Sequence, residues 1–258
     1  MLRLYRVLHE GTPRYAAERD GQWRLVEGDV FGQFKASGAE IDGTTSTLLA
    51  PVAPSKIVCV GLNYKDHAAE QNKPLPPEPL LFIKPSTAVI GPGAAIQTPA
   101  WAGRVDHEAE LGVVIGKVTR DVPAARAYDH ILGLIAVNDV TARDLQNKDG
   151  QYTRCKGFDT FAPIGPCIAV GLEGKDLAVQ AFVNGAPRQS SRTRELIFTI
   201  PELVQFISSV MTLLPGDIIS TGTPSGIGPI RPGDSVTVHV EGVGALTNPV
   251  VVREGSAT

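Results

Sequence analysis

The hydrophobic pattern of the chain consists of short alternating or wholly apolar runs, which are separated by glycine and proline turns. Residues 2–8 (LRLYRVL) alternate, and residues 14–19 (RYAAER) and 22–26 (QWRLV) flank an Asp-Gly pair that is typical of a tight β-hairpin. Further runs predict strands at 56–60, 80–84, 108–116, 131–139, 166–170, 178–183, 217–221, 235–241 and 249–252. The pattern therefore predicts a mainly β protein.

Helical signals are few. Residues 199–202 (TIPE) form a capping box with proline in the first turn, so a helix is predicted to begin there. The apolar face of that helix comprises Leu203, Phe206, Ile207 and Val210. Residues 63–72 (NYKDHAAEQN) predict a short helix or an ordered loop, and residues 141–146 (TARDLQ) predict a helical turn. The predicted class is α+β, mainly β with few helices.

The pattern also divides the chain into two parts. Residues 1–50 predict a small N-terminal β domain, and residues 44–55 (TTSTLLAPVAPS) have the composition of a linker. The main domain is predicted to span residues 55–253, with the buried strand KIVCV near its start.

Composition and charge exclude several classes of function. The 258 residues include 24 Lys and Arg against 27 Asp and Glu, a formal net charge of −3, and no basic run occurs, so nucleic-acid and anionic-membrane partners are not expected. Apolar runs are far shorter than the ~18–20 residues of a membrane span, and the N-terminus carries charges where a signal peptide would be apolar. The three cysteines include no C-x-x-C pair, which argues against a disulfide framework or a zinc site and favours a reducing cytoplasm.

Two glutamates open an otherwise apolar segment, VDHEAELGVVIG, at residues 105–116. On one strand, Glu108 and Glu110 would share a face and repel each other unless a positive charge lay between them, although an ordinary solvated strand edge is also consistent with the pattern. Asp139 ends another apolar strand, where an acid is costly unless it is paired or bound to a cation, or caps the TARD segment as a helix N-cap. Three carboxylates without cysteine or histidine would suit Mg²⁺, Mn²⁺ or Ca²⁺.

The segment NYKDHAAE carries a candidate base. On a helix, His67 and Glu70 lie three residues apart and face the same way. A histidine beside a carboxylate can hold a water molecule and accept its proton, whereas a surface helix of mixed charge is the alternative.

Three further side chains are candidates for substrate binding or catalysis. Arg143 and Gln146 have the same spacing as the histidine pair and could reach one pocket. Lys156 precedes a glycine and two nearby aromatic residues, a setting where a cation can bind a carboxylate or oxyanion, although a surface lysine is the alternative. Cys155 lacks a visible histidine partner, which argues against a cysteine nucleophile.

The glycine-rich segment STGTPSGIGP, at residues 220–229, resembles a phosphate loop only superficially. It lacks the Gly-Lys-Ser/Thr ending, and no βαβ unit follows it, so nucleotide binding is not expected. Its backbone N–H groups and hydroxyls could still bind a carboxylate.

Taken in order, these segments resemble the fumarylacetoacetate hydrolase family. Over about residues 56–252, the motifs that carry the resemblance are G-L-N-Y-x-D-H-x-x-E, F-I-K-P, D-H-E-x-E-L-x-V-V-I-G, N-D-V-T-A-R-D-x-Q, K-G-F-D-T-F-x-P and T-G-T-P-x-G. The resemblance implies the fumarylacetoacetate-hydrolase-type β-roll or barrel with a small N-terminal β domain, and it implies a homodimer.

The resemblance also implies roles for the candidate residues. The metal ligands for Mg²⁺ or Mn²⁺ would be Glu108, Glu110 and Asp139. The catalytic residues would be His67 and Glu70, carried on a lid that orders over the substrate, together with Lys156. The substrate-binding residues would be Arg143, Gln146, and Thr221 or Thr223.

Members of the family hydrolyse acylpyruvates, decarboxylate oxaloacetate-like acids or isomerise 2-hydroxy-dienedioates of aromatic catabolism, and these reactions meet at a metal-stabilised enolate of a 2-oxo acid. The first hypothesis is a metal-dependent hydrolase that cleaves a C–C bond in acylpyruvate-type 2,4-dioxo acids, and an isomerase or decarboxylase is the second. The rival class is a non-catalytic β module with a structural metal, which would need no base such as His67.

Overall fold

A computed structural model of the chain describes residues 1–254. The first strands are β1 (Leu2–His9), β2 (Thr12–Arg19), β3 (Gln22–Leu25), β4 (Glu27–Gly28), β5 (Phe34–Lys35) and β6 (Thr47–Leu49). The predicted hairpin is confirmed, with Asp20 and Gly21 both at positive φ between β2 and β3. The predicted linker is wrong in part, because β6 lies within it and pairs with β1.

The remaining strands are β7 (Lys56–Gly61), β8 (Leu80–Pro85), β9 (Val89–Ile90), β10 (Ile96–Thr98), β11 (Val105–His107), β12 (Ala109–Ile115), β13 (Ile131–Asn138), β14 (Thr141–Ala142), β15 (Ala162–Val170), β16 (Ala178–Val183), β17 (Ala186–Arg192), β18 (Ile218–Ser220), β19 (Gly228–Ile230), β20 (Ser235–Val240) and β21 (Gly244–Val252). The helices are α1 (Lys65–Glu70), α2 (Arg143–Asp149), α3 (Tyr152–Lys156) and α4 (Ile200–Val210). Short 3₁₀ helices occupy Ser86–Ala88, Ala100–Ala102, Ala124–His130 and Thr193–Glu195. The mainly β class is confirmed.

The largest sheet has eleven strands and runs in the order β3-β2-β1-β15-β13-β12-β18-β7-β8, with β6 paired to β1 and β9 paired to β15. A second sheet of five strands has the order β10-β21-β20-β16-β17, and a third of three strands has the order β14-β11-β19. Because β1 pairs with β15, the N-terminal strands extend the main sheet. The division into residues 1–50 and 55–253 stays a prediction.

Both faces of the central strands are buried, which explains why they read as continuous apolar runs. On β12, Leu111 and Val113 join the larger core cluster with the second sheet and α4, whereas Val114 joins a separate cluster on the opposite face. Glu110 alternates with Leu111 and therefore shares the face of Val114. A carboxylate is thus placed inside a covered sheet.

The capping box of α4 is confirmed, since the Thr199 N–H donates to the Glu202 carboxylate at 2.7 Å. Its predicted apolar face is only partly right. Val204 lies in the core, whereas Val210, at the last residue of the helix, is 59% exposed.

Candidate active site

Three buried carboxylates meet at one end of the central strands. Glu108 lies in a break between β11 and β12, so the single strand predicted over residues 108–116 is wrong at its first residue and also at its last, because β12 ends at Ile115. The Glu108 N–H donates to the Asn138 side chain at 3.0 Å, and the Asp139 N–H donates to the Glu108 carbonyl at 2.9 Å. One oxygen from each of Glu108, Glu110 and Asp139 lies within 4.8 Å of the others.

Cationic side chains contact two of these carboxylates. The Lys156 ammonium donates to Glu108 at 2.8 Å and also to Asp139. Arg143 forms an ion pair with the other oxygen of Glu108. Lys84, at 0% exposure, donates to Asp139 at 2.5 Å and to the Val140 carbonyl at 3.0 Å. Asp139 is therefore buried and paired, and the N-cap interpretation is wrong because Ala142 caps α2.

Lys84 was not identified as a site residue from the sequence, although it lies in the F-I-K-P motif. Its strand reads as an ordinary amphipathic segment, and only the fully buried ammonium marks it as unusual. A buried lysine without a carboxylate partner would be strongly disfavoured, so its burial beside Asp139 identifies Lys84 as part of the site only once the structure is known.

The surroundings shift the pKa values of Glu108 and Glu110 in opposite directions. Burial disfavours ionisation of Glu108, but Lys156 and Arg143 outweigh it and hold the pKa of Glu108 well below its usual range. Burial, reinforced by the charge of Asp139, raises the pKa of Glu110 to about 8. The Glu110 carboxylate accepts only neutral donors among the described contacts, from the Ser220 hydroxyl at 2.6 Å and the Gly222 N–H at 2.9 Å.

The donor set fits a divalent cation. All three groups are hard carboxylate oxygens, which suit Mg²⁺, Mn²⁺ or Ca²⁺ better than softer metals. The raised pKa of Glu110 shows that a further positive charge would be stabilising there, because within residues 1–254 no lysine, arginine or histidine pairs with it. The role of these residues as metal ligands stays a prediction.

The raised pKa of Glu110 leads to a prediction for the metal-free protein. The folded carboxyl keeps its proton up to about pH 8, whereas the unfolded chain releases it near the usual glutamate pKa of 4.5. The folded state therefore binds more protons between these values, and the free energy of unfolding in EDTA should fall as pH rises from about 5 to 8, by on the order of a few kcal/mol.

Denaturant unfolding at several pH values measures this effect, and Glu110→Gln is the matched control because the amide oxygen can still accept both hydrogen bonds. Burial lowers the pKa of His107, which gives a slope of opposite sign that both proteins share. An equal pH slope in wild type and Glu110→Gln would contradict the expectation.

The candidate base lies over the same cavity. The imidazole of His67 is buried, and its Nδ1 lies 2.9 Å from Glu70 Oε2. Because a carboxylate only accepts, Nδ1 carries the proton and Nε2 is the basic atom. The second carboxylate oxygen of Glu70 accepts the Gly226 N–H at 3.0 Å, so the glycine-rich loop holds the pair in place.

Gln71 is a further residue of this group that was not identified from the sequence. Its side-chain nitrogen lies 2.6 Å from His67 Nε2 and donates to it. A glutamine four residues after a histidine, directly beyond the end of a short helix, has no distinctive sequence signal. Gln71 covers the basic atom in this arrangement, so the base is exposed to substrate only when that hydrogen bond opens.

A cavity of about 260 Å³ joins these groups. Its polar wall includes the three carboxylates together with His67, Gln71, Arg143, Gln146, Lys156 and Thr223. Apolar side chains, among them Leu80, Phe82 and Tyr152, line another part. The Lys156 ammonium also lies 4.9 Å from the centre of the Phe82 ring, a cation–π contact.

The remaining predicted residues differ in their surroundings. Arg143 donates to the Gln146 side chain at 2.5 Å, and both line the cavity. Thr223 also lines it, whereas the Thr221 hydroxyl is buried and donates to the Leu111 carbonyl at 2.9 Å. Burial raises the pKa of the Cys155 thiol, which removes it as a nucleophile.

The fold and the site together define a mainly β protein whose central sheet carries a buried acidic centre beside a histidine–glutamate pair. The chain belongs to the fumarylacetoacetate hydrolase family. Residues 56–251 match the family profile of the fumarylacetoacetate (FAA) hydrolase C-terminal domain, and residues 2–51 match the Rv2993c-like N-terminal profile. The family assignment and the family fold are thereby confirmed, and members of this family are enzymes.

Relatives cover most of the chain. Protein Rv2993c of Mycobacterium tuberculosis is 53% identical over 211 residues, which cover 81% of this chain and 79% of that protein. The mitochondrial oxaloacetate tautomerase FAHD2A of Bos taurus is 43% identical over 218 residues, which cover 80% and 69%.

Solved structures share the whole fold. The 2-hydroxyhepta-2,4-diene-1,7-dioate isomerase from Mycobacterium marinum is 43% identical with a TM-score of 0.92, covering 98% of this chain and 100% of its own. The maleylpyruvate hydrolase from Sphingobium sp. SYK-6, solved in complex with manganese(II) and pyruvate, is 28% identical with a TM-score of 0.82 and the same coverages.

Two further predictions concern the chain as a whole. The three cysteines are free and buried, as expected in the absence of a disulfide framework. Within the part of the chain that the structure describes, no helix is long and apolar enough to cross a bilayer.

Proposed function

We propose that this protein is a metal-dependent enzyme that acts on a 2-oxo acid, with hydrolytic cleavage of a C–C bond in an acylpyruvate-type 2,4-dioxo acid as its reaction. The observation that carries the proposal is the placement of His67, backed by Glu70, on the same cavity as the three-carboxylate centre. A structural metal site needs no base at the cavity wall, so the arrangement favours catalysis over a passive metal-binding module.

The carboxylate centre would hold a divalent cation through Glu108, Glu110 and Asp139. When bound there, Mg²⁺ or Mn²⁺ would supply Lewis-acid chemistry that favours enolisation of a 2-oxo acid. The complex of manganese(II) and pyruvate in the related maleylpyruvate hydrolase supports this assignment.

The residues of the chain would perform the proton transfers. His67 Nε2 would accept a proton from water once Gln71 has moved, and Glu70 would stabilise the imidazolium that forms through its hydrogen bond to Nδ1. Lys156 uses two of its three N–H groups on Glu108 and Asp139, which leaves one for a substrate oxygen. An ammonium at that place stabilises the negative charge that develops on the attacked carbonyl.

Lys73 is a cavity-lining cation that would be available to a second charged group of the substrate. Lys156 and Arg143 are engaged with carboxylates, whereas Lys73 lines the cavity and forms no ion pair with any residue from 1 to 254. Between these groups the wall is apolar at Leu80 and Phe82. This distribution suits a substrate with a carboxylate at each end and a conjugated or apolar middle.

An isomerase or tautomerase reaction, in which a proton is moved along the substrate without attack by water, is the second candidate function. The names of two relatives favour it, since one is an oxaloacetate tautomerase and another a dienedioate isomerase, each 43% identical to this chain. The same base could serve, because His67 Nε2 would remove a proton from the carbon chain and return it to another atom.

An assay of the purified protein with Mg²⁺ or Mn²⁺ tests both candidates. The panel is acetylpyruvate, fumarylpyruvate, oxaloacetate and 2-hydroxyhepta-2,4-dienedioate, followed by absorbance and by product analysis. Release of pyruvate from an acylpyruvate supports the hydrolase, and a change of double-bond position or enol content without cleavage supports the isomerase or tautomerase. The enzyme proposal fails if none of the four is converted faster than in metal alone.

The lid leads to a prediction of its own. Residues 66–77 contain charged side chains, three prolines and few apolar anchors, so little buried area holds them. In hydrogen exchange, their amides should be the fastest of the main domain without ligand and should slow when oxalate or pyruvate is added with Mn²⁺. Slow exchange in the free protein would contradict this expectation.

A further inference from the structure

We infer that Gln189 is a positioning residue that fixes the His67–Glu70 pair relative to the carboxylate centre. The side chain is 1% exposed and lies on β17, outside the cavity lining described above. The inference rests on the proposed function for its catalytic consequence, although its structural consequence can be measured independently.

The Gln189 amide makes four hydrogen bonds that join two parts of the site. Its oxygen accepts the backbone N–H of Ala109 at 2.9 Å and lies 3.1 Å from His107 Nδ1. Its nitrogen donates to the Thr223 hydroxyl and to the Pro224 carbonyl, each at 2.8 Å. A backbone N–H can only donate and a carbonyl can only accept, so these partners define the orientation of the amide and place the proton of His107 on Nδ1.

The first pair of bonds holds the strand that carries the acids. Ala109 lies between Glu108 and Glu110, and His107 ends β11 beside the break in the strand. Ala109 pairs with Asn138 of β13 on one side, but pairing with β18 on the other side covers only Gly112–Val114, so the Ala109 N–H has no strand carbonyl there. The buried amide oxygen replaces the missing acceptor, and it therefore fixes the direction in which the two glutamates leave the backbone.

The second pair of bonds holds the glycine-rich loop that supports the base. Gly226 in this loop donates to Glu70 at 3.0 Å, and Glu70 in turn binds His67. Gly226 has φ of +92°, and a Cβ there would lie 2.3 Å from the Arg188 carbonyl oxygen. The loop therefore packs directly against the backbone of β17, next to Gln189.

A continuous set of contacts thus runs from the acidic strand through Gln189 and the loop to the base. The base is supported from a distant part of the sequence, since Gly226 and Glu70 are 156 residues apart. Catalysis by a base requires reacting atoms within hydrogen-bond reach, and a displacement of about 1 Å can cost about 10²-fold in rate. A residue that sets this distance is expected to affect turnover without contacting the substrate.

Gln189→Glu tests the inference because it keeps two of the four hydrogen bonds and removes the other two. The carboxylate can still accept from Ala109 and His107, but it cannot donate to Thr223 or Pro224, and it repels the Pro224 carbonyl. The acidic strand should therefore stay in place while the loop moves. Gln180→Glu, the same exchange at a half-buried position on the neighbouring strand β16, is the matched control.

Three measurements are expected to respond differently to Gln189→Glu. The affinity for Mn²⁺, from titration calorimetry, should stay within about threefold of wild type. Hydrogen exchange of a peptide over residues 65–72 should become faster, since Glu70 loses its support. The kcat for acylpyruvate hydrolysis should fall by about 10²-fold with a smaller change in KM, because the base is misplaced after substrate has bound.

Gly226→Ala provides a second variant in case Gln189→Glu folds poorly. The added methyl group should push the loop from the Arg188 carbonyl without changing the bonds of Gln189 to the acidic strand, and the same three results are expected. Unchanged exchange over residues 65–72 in both variants would overturn the inference, as would a loss of Mn²⁺ affinity of more than about tenfold that accounts for the loss of turnover. If wild type converts none of the substrates, the proposed function fails, and the exchange measurement still decides whether Gln189 positions the lid.

Discussion

Replacement of Glu108 by alanine is expected to abolish turnover of 2-oxo acids and to weaken Mn²⁺ binding by more than about 100-fold. Residues that only orient a ligand change metal affinity by about 10–100-fold, so loss of a ligand should cost at least as much. Glu108 also holds Lys156 and Arg143 through both of its carboxylate oxygens. Its removal therefore changes the charge balance of the whole site.

The alanine variant leaves the buried Lys156 and the partly buried Arg143 without this partner, which can cost about 3–5 kcal/mol of stability. Glu108→Gln keeps the shape and removes only the charge, so it separates a folding defect from loss of the site. Glu173→Ala, a change at an exposed acid that pairs with Lys175, is the control for a charge change alone. Calorimetric titration with Mn²⁺ and the substrate assay measure the result, and wild-type affinity in a folded Glu108→Gln protein would rule out Glu108 as a ligand.

Replacement of His67 by alanine is expected to lower kcat for acylpyruvate hydrolysis by about 10²–10⁴-fold, the usual contribution of a positioned base. The imidazole contacts Glu70 and Gln71 and belongs to none of the hydrogen bonds of the carboxylate centre. Affinity for Mn²⁺ should therefore change little. His9→Ala, which removes a partly buried histidine from β1, is the matched control.

The same variant separates the candidate reactions. Decarboxylation of oxaloacetate requires no activated water, so the His67→Ala protein should retain it while losing acylpyruvate hydrolysis. A parallel loss of tautomerase or isomerase activity would indicate that His67 moves substrate protons as well. Full acylpyruvate hydrolysis by His67→Ala would show that another group is the base.

Much of the secondary structure was predictable because it depends on local patterns. The Asp-Gly hairpin of β2 and β3, the capping box of α4 and the apolar strand β13 each follow from residues that are adjacent in the sequence. The errors lie where the local structure depends on contacts with a distant part of the chain. β6 formed within the expected linker because β1 offers it a partner strand.

The candidate site also has features that the sequence predicts and features that depend on distant contacts. The carboxylates of Glu108, Glu110 and Asp139 could be identified because acids that border apolar strands are unusual, and the structure brings their oxygens within 4.8 Å. The break in the strand at Glu108 could not be predicted, since it depends on Asn138 and Gln189, which lie 30 residues from Glu108 and 80 residues from Ala109. Lys84, which is 55 residues from Asp139, was missed for the same reason.

The mainly β class, the family, the acids and the histidine pair could all be identified from the amino-acid sequence, because period, turn residues and motif order are properties of neighbouring positions. The three-dimensional packing was needed to show which cation contacts which acid, that Glu110 has no positively charged partner among residues 1–254, and that Gln71 covers His67. These features escape sequence patterns because ion pairing and pKa depend on distance and burial in three dimensions, and both are set by the packing of strands that are remote in the chain.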